Sequence, residues 1–119
     1  MKIAFLHQPN DPYTEVRINY FLRQGHEVYS IVFNNKVKQK YIEGLHIIEL
    51  PFIFINKFLK RFVYFYFIRT FTKVNQIDIF YIISALNSFY LKSSKAKKNI
   101  LELQGSDVII TTKNFPFIK

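Results

Sequence analysis

Two short polar loops hold the residues best suited to binding a hydroxyl-rich ligand. Gly105, Ser106 and Asp107 interrupt one apolar run, and Asn10 and Asp11 follow another near the start of the chain. Glycine allows a tight turn or a close approach of the backbone to a ligand. Serine and aspartate side chains exchange hydrogen bonds with hydroxyl groups, but both residues also cap helices. The spacing alone therefore leaves two alternatives open, a ligand-binding loop and a helix cap.

Arg17 and the histidines extend the set of candidates. Arg17 follows the first loop at a distance from which it could reach an anionic group, although a solvated helix residue would have the same spacing. His7 ends an apolar run, where a satisfied, partly buried histidine is expected. The three histidines form no metal motif, and the absence of cysteine excludes a disulfide framework and a thiolate site. The sequence thus predicts no metal.

Other common sites are disfavoured by missing motifs. No G-x-G-x-x-G or P-loop follows the first apolar run, so NAD or ATP binding of the usual kind is not predicted. No G-x-S-x-G sequence is present, which disfavours an α/β-hydrolase nucleophile. The basic residues lie in no known nucleic-acid motif, so nucleic acid is not expected as a partner.

The elements that must position these residues alternate between strand and helix patterns. The chain has 119 residues, half of them apolar and 18% aromatic, which suits one compact domain. Apolar and β-branched runs predict five strands, and helical spacing between them predicts three helices. The strands are expected at 2–7, 26–33, 45–50, 77–83 and 99–104, and the helices at 12–24, 54–74 and 84–98. This alternation predicts an α/β fold: a single Rossmann-like domain, with a parallel sheet of about five strands and helices on both faces.

Two local details belong to this prediction. In the first helix, Tyr13, Val16, Tyr20 and Phe21 share a face at helical spacing. At the end of the chain, residues 107–112 are β-branched and offer an alternative, in which 96–104 is helical and Gly105 begins a helix-to-strand turn. The strand at 99–104 is preferred.

Parallel sheets bind ligands at the carboxyl ends of their strands, and three loops of the predicted fold lie at that edge. They are loops 8–11, 84–87 and 104–107.

Charge is concentrated in the second half of the chain. Residues 1–50 hold 6 basic and 5 acidic residues, for a net charge of +1, whereas 51–119 hold 11 and 3, for +8. The predicted helix at 54–74 is aromatic nearly all round, and its longest uncharged run after residue 57 is 62–68, too short to span a bilayer. Aromatic side chains with interspersed cations favour contact with an anionic membrane surface. The membrane-surface candidates are Lys57, Lys60, Arg61 and Arg69. The alternative for this helix is a core helix covered by another domain. The alternative for the basic second half of the chain is an AT-rich coding bias.

Three stretches of the chain resemble a known family. They are MKIAFLHQP at 1–9, FLRQGHEVYSIVF at 21–33 and NILELQGSDV at 99–108. In this order and spacing they resemble the first strand and loop, the Gly-His-Glu-Val helix end and the His-Gly-Ser-Asp strand end of GT-B glycosyltransferases of the family-4-like group. The likeness extends over the whole chain. It implies that residues 1–119 are the Rossmann-like N-terminal, acceptor-side domain of such an enzyme.

The resemblance implies a function for this domain. It would be the acceptor-binding half of a glycosyltransferase that moves a sugar from a nucleoside diphosphate sugar to a glycan or glycolipid acceptor. The cleft-lining residues would be Asn10, Asp11 and Arg17, together with Gln104, Gly105, Ser106 and Asp107. No cofactor is expected in this domain, because the family binds the nucleotide sugar in a C-terminal domain. That domain does not follow within the 119 residues, so the chain is expected to be a fragment, inactive alone, that needs the missing domain or a partner subunit.

The chain departs from the family pattern at several positions. The first loop lacks the glycine pair that approaches the donor phosphates in many members. Tyr81 and Ile83 stand near positions where the fourth strand often carries histidines, and Gln104 replaces the histidine of His-Gly-Ser-Asp. Glutamine binds hydroxyl groups but is no acid or base near neutral pH, so the catalytic residues are unknown. The rival prediction is a stand-alone, membrane-peripheral Rossmann-like binding module without catalysis. The expected location is the cytoplasm, and contact with an anionic membrane would place the chain at the inner membrane face.

Overall fold

The chain folds into one parallel sheet with a helix on each face. The computed structural model describes residues 1–33, 38–50, 56–83 and 85–102, without the side chains of 57 and 85–88. In chain order the elements are β1 (Lys2–Leu6), α1 (Pro12–Arg23), β2 (Glu27–Phe33), β3 (Leu45–Leu50), α2 (Lys57–Val74), β4 (Ile79–Ile83), a 3₁₀ helix (Ala85–Ser93) and β5 (Lys98–Glu102). The predicted α/β, Rossmann-like fold is confirmed.

The order of the strands places β1 at the centre of the sheet. Within the described residues the order is β3-β2-β1-β4-β5, and all four pairings are parallel. From β1 the chain proceeds outward through β2 to β3, and then returns to the other side of β1 to form β4. The direction of strand order therefore reverses between β1 and β4, and the carboxyl ends of these strands are where ligands bind in open parallel sheets.

Alternate residues of β1 supply the two halves of the core. Ile3 and Phe5 pack with Ile18 of α1, whereas Ala4 and Leu6 belong to the cluster that packs under α2. These four of the five residues of β1 are fully buried, as expected for a central strand covered on both faces. The continuous apolar run at the start of the chain is thus explained by burial on both sides.

The spacing of apolar residues predicts the helix α1, but the structure decides which of its faces packs on the sheet. Tyr13, Val16 and Tyr20 are 68%, 67% and 57% exposed, while Thr14 and Ile18 are fully buried. The helix carries two apolar faces, and helical periodicity cannot decide between them. The face with Ile18 packs on Ile3 and Phe5 of the sheet, and on this face the hydroxyl of buried Thr14 is satisfied by a hydrogen bond that it donates to the Asp11 carboxylate at 2.8 Å. Tyr13, Val16 and Tyr20 are therefore exposed, whereas Phe21 packs against the core.

The segment before β5 differs from prediction. The sequence predicts a helix over 84–98, but the described part forms a 3₁₀ helix that ends at Ser93. There the hydroxyl of Ser93 donates to the Tyr90 carbonyl at 2.6 Å, and such local side-chain bonds compete with helix propagation. Lys98–Glu102 is a strand paired with β4, which settles the choice between strand and helix for these residues.

Both α-helices end in the same hydrogen-bonded motif with different residues in its left-handed position. At the end of α1, Gly25 has φ +83°, and at the end of α2 Gln76 has φ +52°. In α2, Ile77 N–H donates to the Thr72 carbonyl at 3.1 Å and Gln76 N–H donates to the Lys73 carbonyl at 3.3 Å. These two bonds define a Schellman motif, whose left-handed residue is usually glycine. Gln76 therefore bears a conformational cost that Gly25 does not.

Exchanging the residue types in these two motifs should change stability in opposite directions. Gln76→Gly is expected to raise the free energy of unfolding by about 0.5–1 kcal/mol, because a left-handed conformation costs a non-glycine residue about 1–2 kcal/mol and part of that gain is lost to backbone entropy. Gly25→Gln is the matched variant and should lower it, although no atom would contact the new Cβ within 4 Å. Urea unfolding measures both changes. A loss of stability in Gln76→Gly would show that its side chain contributes more than the strain costs.

Candidate functional site

Arg17, Tyr81 and Glu102 form a polar cluster near the carboxyl edge of the sheet, here called the carboxyl-edge cluster. Arg17 lies on α1, Tyr81 in β4 and Glu102 at the end of β5. Arg17 Nε donates to the Tyr81 hydroxyl at 3.3 Å, and that hydroxyl donates to Glu102 Oε2 at 2.7 Å. Arg17 Nη2 donates to Glu102 Oε1, which closes a three-membered network. Residues 17, 81 and 102, distant in sequence, are thus held together by charge-assisted hydrogen bonds.

The network fixes the charge states of Arg17 and Tyr81. The hydrogen bond with Tyr81 and the nearby Glu102 carboxylate raise the pKa of the Arg17 guanidinium, which stays protonated. Burial, and then the hydrogen bond to Glu102, raise the pKa of the Tyr81 hydroxyl, which therefore stays a neutral donor at physiological pH. Arg17 and Glu102 side chains are 34% and 24% exposed, so solvent reaches the cluster. It can bind hydroxyl groups but presents no evident base, because both charged groups are already paired.

Asn10 holds the first loop in place. Its side-chain Nδ2 donates to the Lys38 carbonyl at 2.9 Å, and its Oδ1 accepts the Lys40 N–H at 2.7 Å. Its own N–H donates to buried Gln39 Oε1 at 2.8 Å. Asn10 has φ +60°, a conformation that asparagine tolerates better than most residues. Both ends of the Asn10 amide are thus engaged by the chain itself, and we assign this residue to shaping the loop.

Asp11 caps the first helix, as one of the two sequence alternatives predicted. Its carboxylate accepts the Tyr13 N–H at 3.2 Å and the Thr14 hydroxyl at 2.8 Å. Pro12 occupies the first helical position, where its missing N–H is not needed. Arg17 Nη1 donates to the Tyr13 carbonyl at 3.0 Å, so the first turn of α1 is joined to the carboxyl-edge cluster. The side chain of Tyr13 itself is exposed.

The other predicted cleft residues, Gln104, Gly105, Ser106 and Asp107, lie outside the residues that the structure describes. The strand that leads to them is described as far as Glu102, which ends β5 at the carboxyl edge. The structure therefore brings Asn10, Asp11 and Arg17 to this edge. It adds Tyr81 and Glu102, which the sequence did not single out as site residues. The signal for Tyr81 was its place near a family histidine, while Glu102 was hidden in an apolar run.

His7 and Ser30 form a buried pair under the first loop. His7 Nδ1 lies 2.7 Å from the Gln8 carbonyl, which can only accept, so Nδ1 carries the proton. Nε2 therefore accepts the hydrogen bond from the Ser30 hydroxyl. A serine, a histidine and an orienting acceptor resemble a nucleophile with its base. However, His7 is 1% exposed and Ser30 is 0% exposed, so no substrate reaches the hydroxyl. The pair is structural.

The buried imidazole should make stability depend on pH. Burial is the main cause that lowers the pKa of His7, against the opposing effects of the Gln8 carbonyl and the Asp11 carboxylate. Above pH about 6.5 the side chain is neutral in both states. As pH falls below that value the unfolded chain takes up a proton that the folded chain does not. The free energy of unfolding should then decrease, by at most about 1.4 kcal/mol per pH unit, until pH falls below the folded pKa.

Urea unfolding between pH 5 and 7.5 measures this slope. His7→Gln should flatten it, because an amide can donate and accept without titrating in this range. His46→Gln removes an exposed imidazole and is the control that should keep the contribution of His7. A slope that is unchanged in His7→Gln would contradict the assignment of the pH dependence to this residue.

The outward side of α2 is apolar over its first half. Five large side chains are exposed there, at helical spacings that place them together. They are Phe58 (65%), Leu59 (54%), Phe62 (43%), Val63 (39%) and Tyr66 (64%), here called the aromatic face of α2. The opposite side of the helix, with Tyr64 and Ile68, packs on the sheet. Exposed apolar groups that adjoin one another, unlike scattered ones, indicate an interaction surface.

The basic candidates on α2 have different surroundings. Arg61 is exposed, and its charge partly offsets the rise that burial causes in the pKa of Tyr90. Lys60 and Arg69 are half-buried, and the Arg69 guanidinium lies 5.6 Å from the centre of the Phe65 ring. Arg69 Nε is buried without a hydrogen-bond partner among the described residues. Lys57 begins the helix, and its side chain lies outside the described part of the structure.

The described residues contain no group of three or more His, Asp or Glu side chains placed to hold a metal ion. Among their helices, none has the length and apolar character needed to cross a bilayer. Comparison of the chain with protein-family models, with curated proteins and with solved structures gave no match.

Proposed function

We propose that the chain is the acceptor-binding half of a glycosyltransferase that moves a sugar from a nucleoside diphosphate sugar to a glycan or glycolipid. The observation that carries the proposal is the position of the carboxyl-edge cluster. Glu102 ends β5 in register with Ile83 at the end of β4, next to the reversal of strand order between β1 and β4 at which open parallel sheets bind their ligands. The likeness of residues 1–9, 21–33 and 99–108 to family-4-like GT-B enzymes supports it.

The described residues have separate tasks in this proposal. Asn10 and Asp11 hold the first loop and the start of α1, and Arg17 with Tyr81 orients the Glu102 carboxylate. Glu102 would accept hydrogen bonds from acceptor hydroxyl groups. The exposed Tyr13 ring would stack on the apolar face of a sugar, as aromatic rings do where one side of a ligand is apolar. Donor binding and transfer would require a second domain or a partner subunit.

The test is a titration of the 119-residue chain with mono- and disaccharides, in which amide chemical shifts in NMR spectra report binding. Shifts are expected around residues 8–17, 81 and 102. Glu102→Gln and Tyr13→Ala should each weaken binding, while Phe58→Ala, on the other side of the sheet, should not. The chain alone should transfer no sugar from labelled nucleotide sugars. Shifts confined to other regions, or no shift at millimolar sugar, would contradict the proposal.

A second candidate function is favoured by the aromatic face of α2. In this proposal the chain is a membrane-peripheral module at the inner, cytoplasmic face of the membrane. Five large apolar side chains are exposed on a helix that carries five basic residues and no acidic one. Aromatic and aliphatic groups enter the lipid interface, and each cation near an anionic surface contributes about 1 kcal/mol. A membrane-bound acceptor would make the two functions compatible.

Sedimentation with vesicles tests the second candidate. Binding is expected with vesicles that contain anionic lipid at low salt, and it should weaken as salt screens the cations. Vesicles of zwitterionic lipid should bind less. An absence of binding to anionic vesicles at low salt would exclude this function, without affecting the sugar-binding test.

A further inference from the structure

A second concave site lies at the amino-terminal edge of the sheet, opposite to the edge discussed so far. Its cavity measures about 730 Å³ and is lined by the starts of β1 and β2, the end of α2 and the segments that lead into β4 and β5. The charged side chains in its wall are Lys2, Lys73, Lys95, Lys97, Glu27 and Asp78. We call this cavity the amino-edge pocket. Neither proposed function uses it.

The two carboxylates of the pocket are already engaged by the protein. Asp78 accepts the Lys2 N–H at 2.8 Å and pairs with Lys97 Nζ at 3.3 Å. The hydrogen bond from the Lys2 backbone, and then Lys97, lower the pKa of Asp78, so the carboxylate stays ionised. Glu27 accepts the hydrogen bond of the Tyr29 hydroxyl. Among the described residues, no ion pair involves the ammonium groups of Lys2, Lys73 or Lys95.

The backbone that carries these lysines is firmly anchored. Lys95 N–H donates to the hydroxyl of fully buried Thr72 at 2.9 Å, which ties the segment before β5 to the end of α2. Lys97 N–H donates to the Ile77 carbonyl at 3.3 Å, and Lys98 N–H donates to the Asp78 carbonyl at 2.9 Å. The backbone of the segment before β5 is therefore fixed, and an anion would not have to order this segment before binding.

Stabilisation of the helix ends would explain some of these lysines, but not all three. Both α-helices end at this edge, and cations stabilise the carbonyl ends of helices. The Thr72 and Lys73 carbonyls in the last turn of α2, however, already accept hydrogen bonds from the N–H groups of Ile77 and Gln76. Lysines from β1 and from the segment before β5 are not needed to satisfy them. Their convergence with Lys73 on one cavity calls for a ligand of opposite charge.

We propose that the amino-edge pocket binds a phosphate-bearing anion with the charge and size of a diphosphate. Three lysines without a carboxylate partner supply the attraction, and lysine binds phosphate oxygens as a compact point charge. The cavity has room for more than one phosphate group. Gln76, in the strained left-handed position, also lines the cavity and adds an amide donor. The anion is either free in solution or the headgroup of a lipid.

Inorganic pyrophosphate is the first probe, in calorimetry at constant ionic strength. Wild-type chain is expected to bind it, and the double variant Lys73→Gln/Lys95→Gln to bind about 25-fold more weakly, since each exposed charge contributes about five-fold. Lys40→Gln, an exposed lysine beside the first loop, is the control and should change affinity less than two-fold. Lys73→Arg/Lys95→Arg keeps the charge and should keep binding. NMR shifts should centre on residues 2, 73, 76 and 95, away from those expected for sugars.

Vesicles that contain a lipid with a phosphate monoester headgroup are the second probe. Pyrophosphate binding that the double variant loses would support a free anion. Vesicle binding that the double variant loses, without pyrophosphate binding, would support a lipid headgroup. No binding of either probe, or equal losses in the double variant and Lys40→Gln, would overturn the proposal. A double variant that loses thermal stability while it binds both probes normally would assign the lysines to the helix ends and would also overturn it.

Discussion

Phe5→Ala is expected to lower the free energy of unfolding by about 3–5 kcal/mol, the range for large-to-small substitutions of aromatic core residues. Phe5 is fully buried in β1, the central strand. Its ring stacks on Tyr81 at a centroid distance of 5.0 Å and tilts against Phe21 of α1 at 6.0 Å. Truncation would leave a cavity between the sheet and α1, at a place where the backbone on both sides is held by strand pairing.

The loss should extend to the carboxyl-edge cluster. Tyr81 rests on Phe5 and positions both Arg17 and Glu102, so its hydroxyl would lose a defined place. Urea unfolding gives the change in stability, and amide spectra report on residues 17, 81 and 102. Phe5→Leu should cost less, because it keeps most of the volume. Tyr13→Ala, on the exposed side of α1, is the control and should stay within about 0.5 kcal/mol. A Phe5→Ala variant as stable as the wild type would mean that the core on this face is not packed as described.

The second large effect concerns the aromatic face of α2. If this face enters a membrane, the triple variant Phe58→Ser/Phe62→Ser/Tyr66→Ser should lower partitioning into anionic vesicles by about 100-fold or more. Each ring is 43–65% exposed and would gain about 1 kcal/mol by leaving water. The three rings together give about 3 kcal/mol, and about 2.8 kcal/mol already corresponds to a factor of 100. Stability should change little, because the three rings contribute little to the core.

The chain contains a matched control for this experiment. Tyr13, Val16 and Tyr20 form an equally exposed apolar stripe on α1, which packs on the other face of the sheet. Replacing these three residues by serine removes a similar exposed area without touching α2. Vesicle sedimentation should then be unchanged. If both triple variants lost binding equally, the aromatic face of α2 would not be the membrane contact, and general hydrophobicity would explain the result.

The sequence by itself determined which segments form strands and where α1 begins and ends. Continuous apolar runs such as 2–7 predict strands buried on two faces, and Lys2–Leu6 is such a strand. Asp11, Pro12 and Gly25 predict where α1 begins and ends, because capping and left-handed φ are properties of single residues. The order of strands and helices follows from these local signals, so the α/β class was predictable.

Only the tertiary structure decided which side chains meet. Arg17, Tyr81 and Glu102 carry no common motif, and their network exists because β4 and β5 pair in parallel register beneath α1. The exposed side of α1 was undetermined for the same reason: two apolar faces satisfy one helical period, and packing on Ile3 and Phe5 selects the face with Ile18. The amino-edge pocket is likewise lined by lysines 2, 73 and 95, which reach one cavity because the parallel strands start, and the α-helices end, at the same edge of the sheet. Local propensity acts over a few residues, whereas a site is assembled by contacts between distant ones.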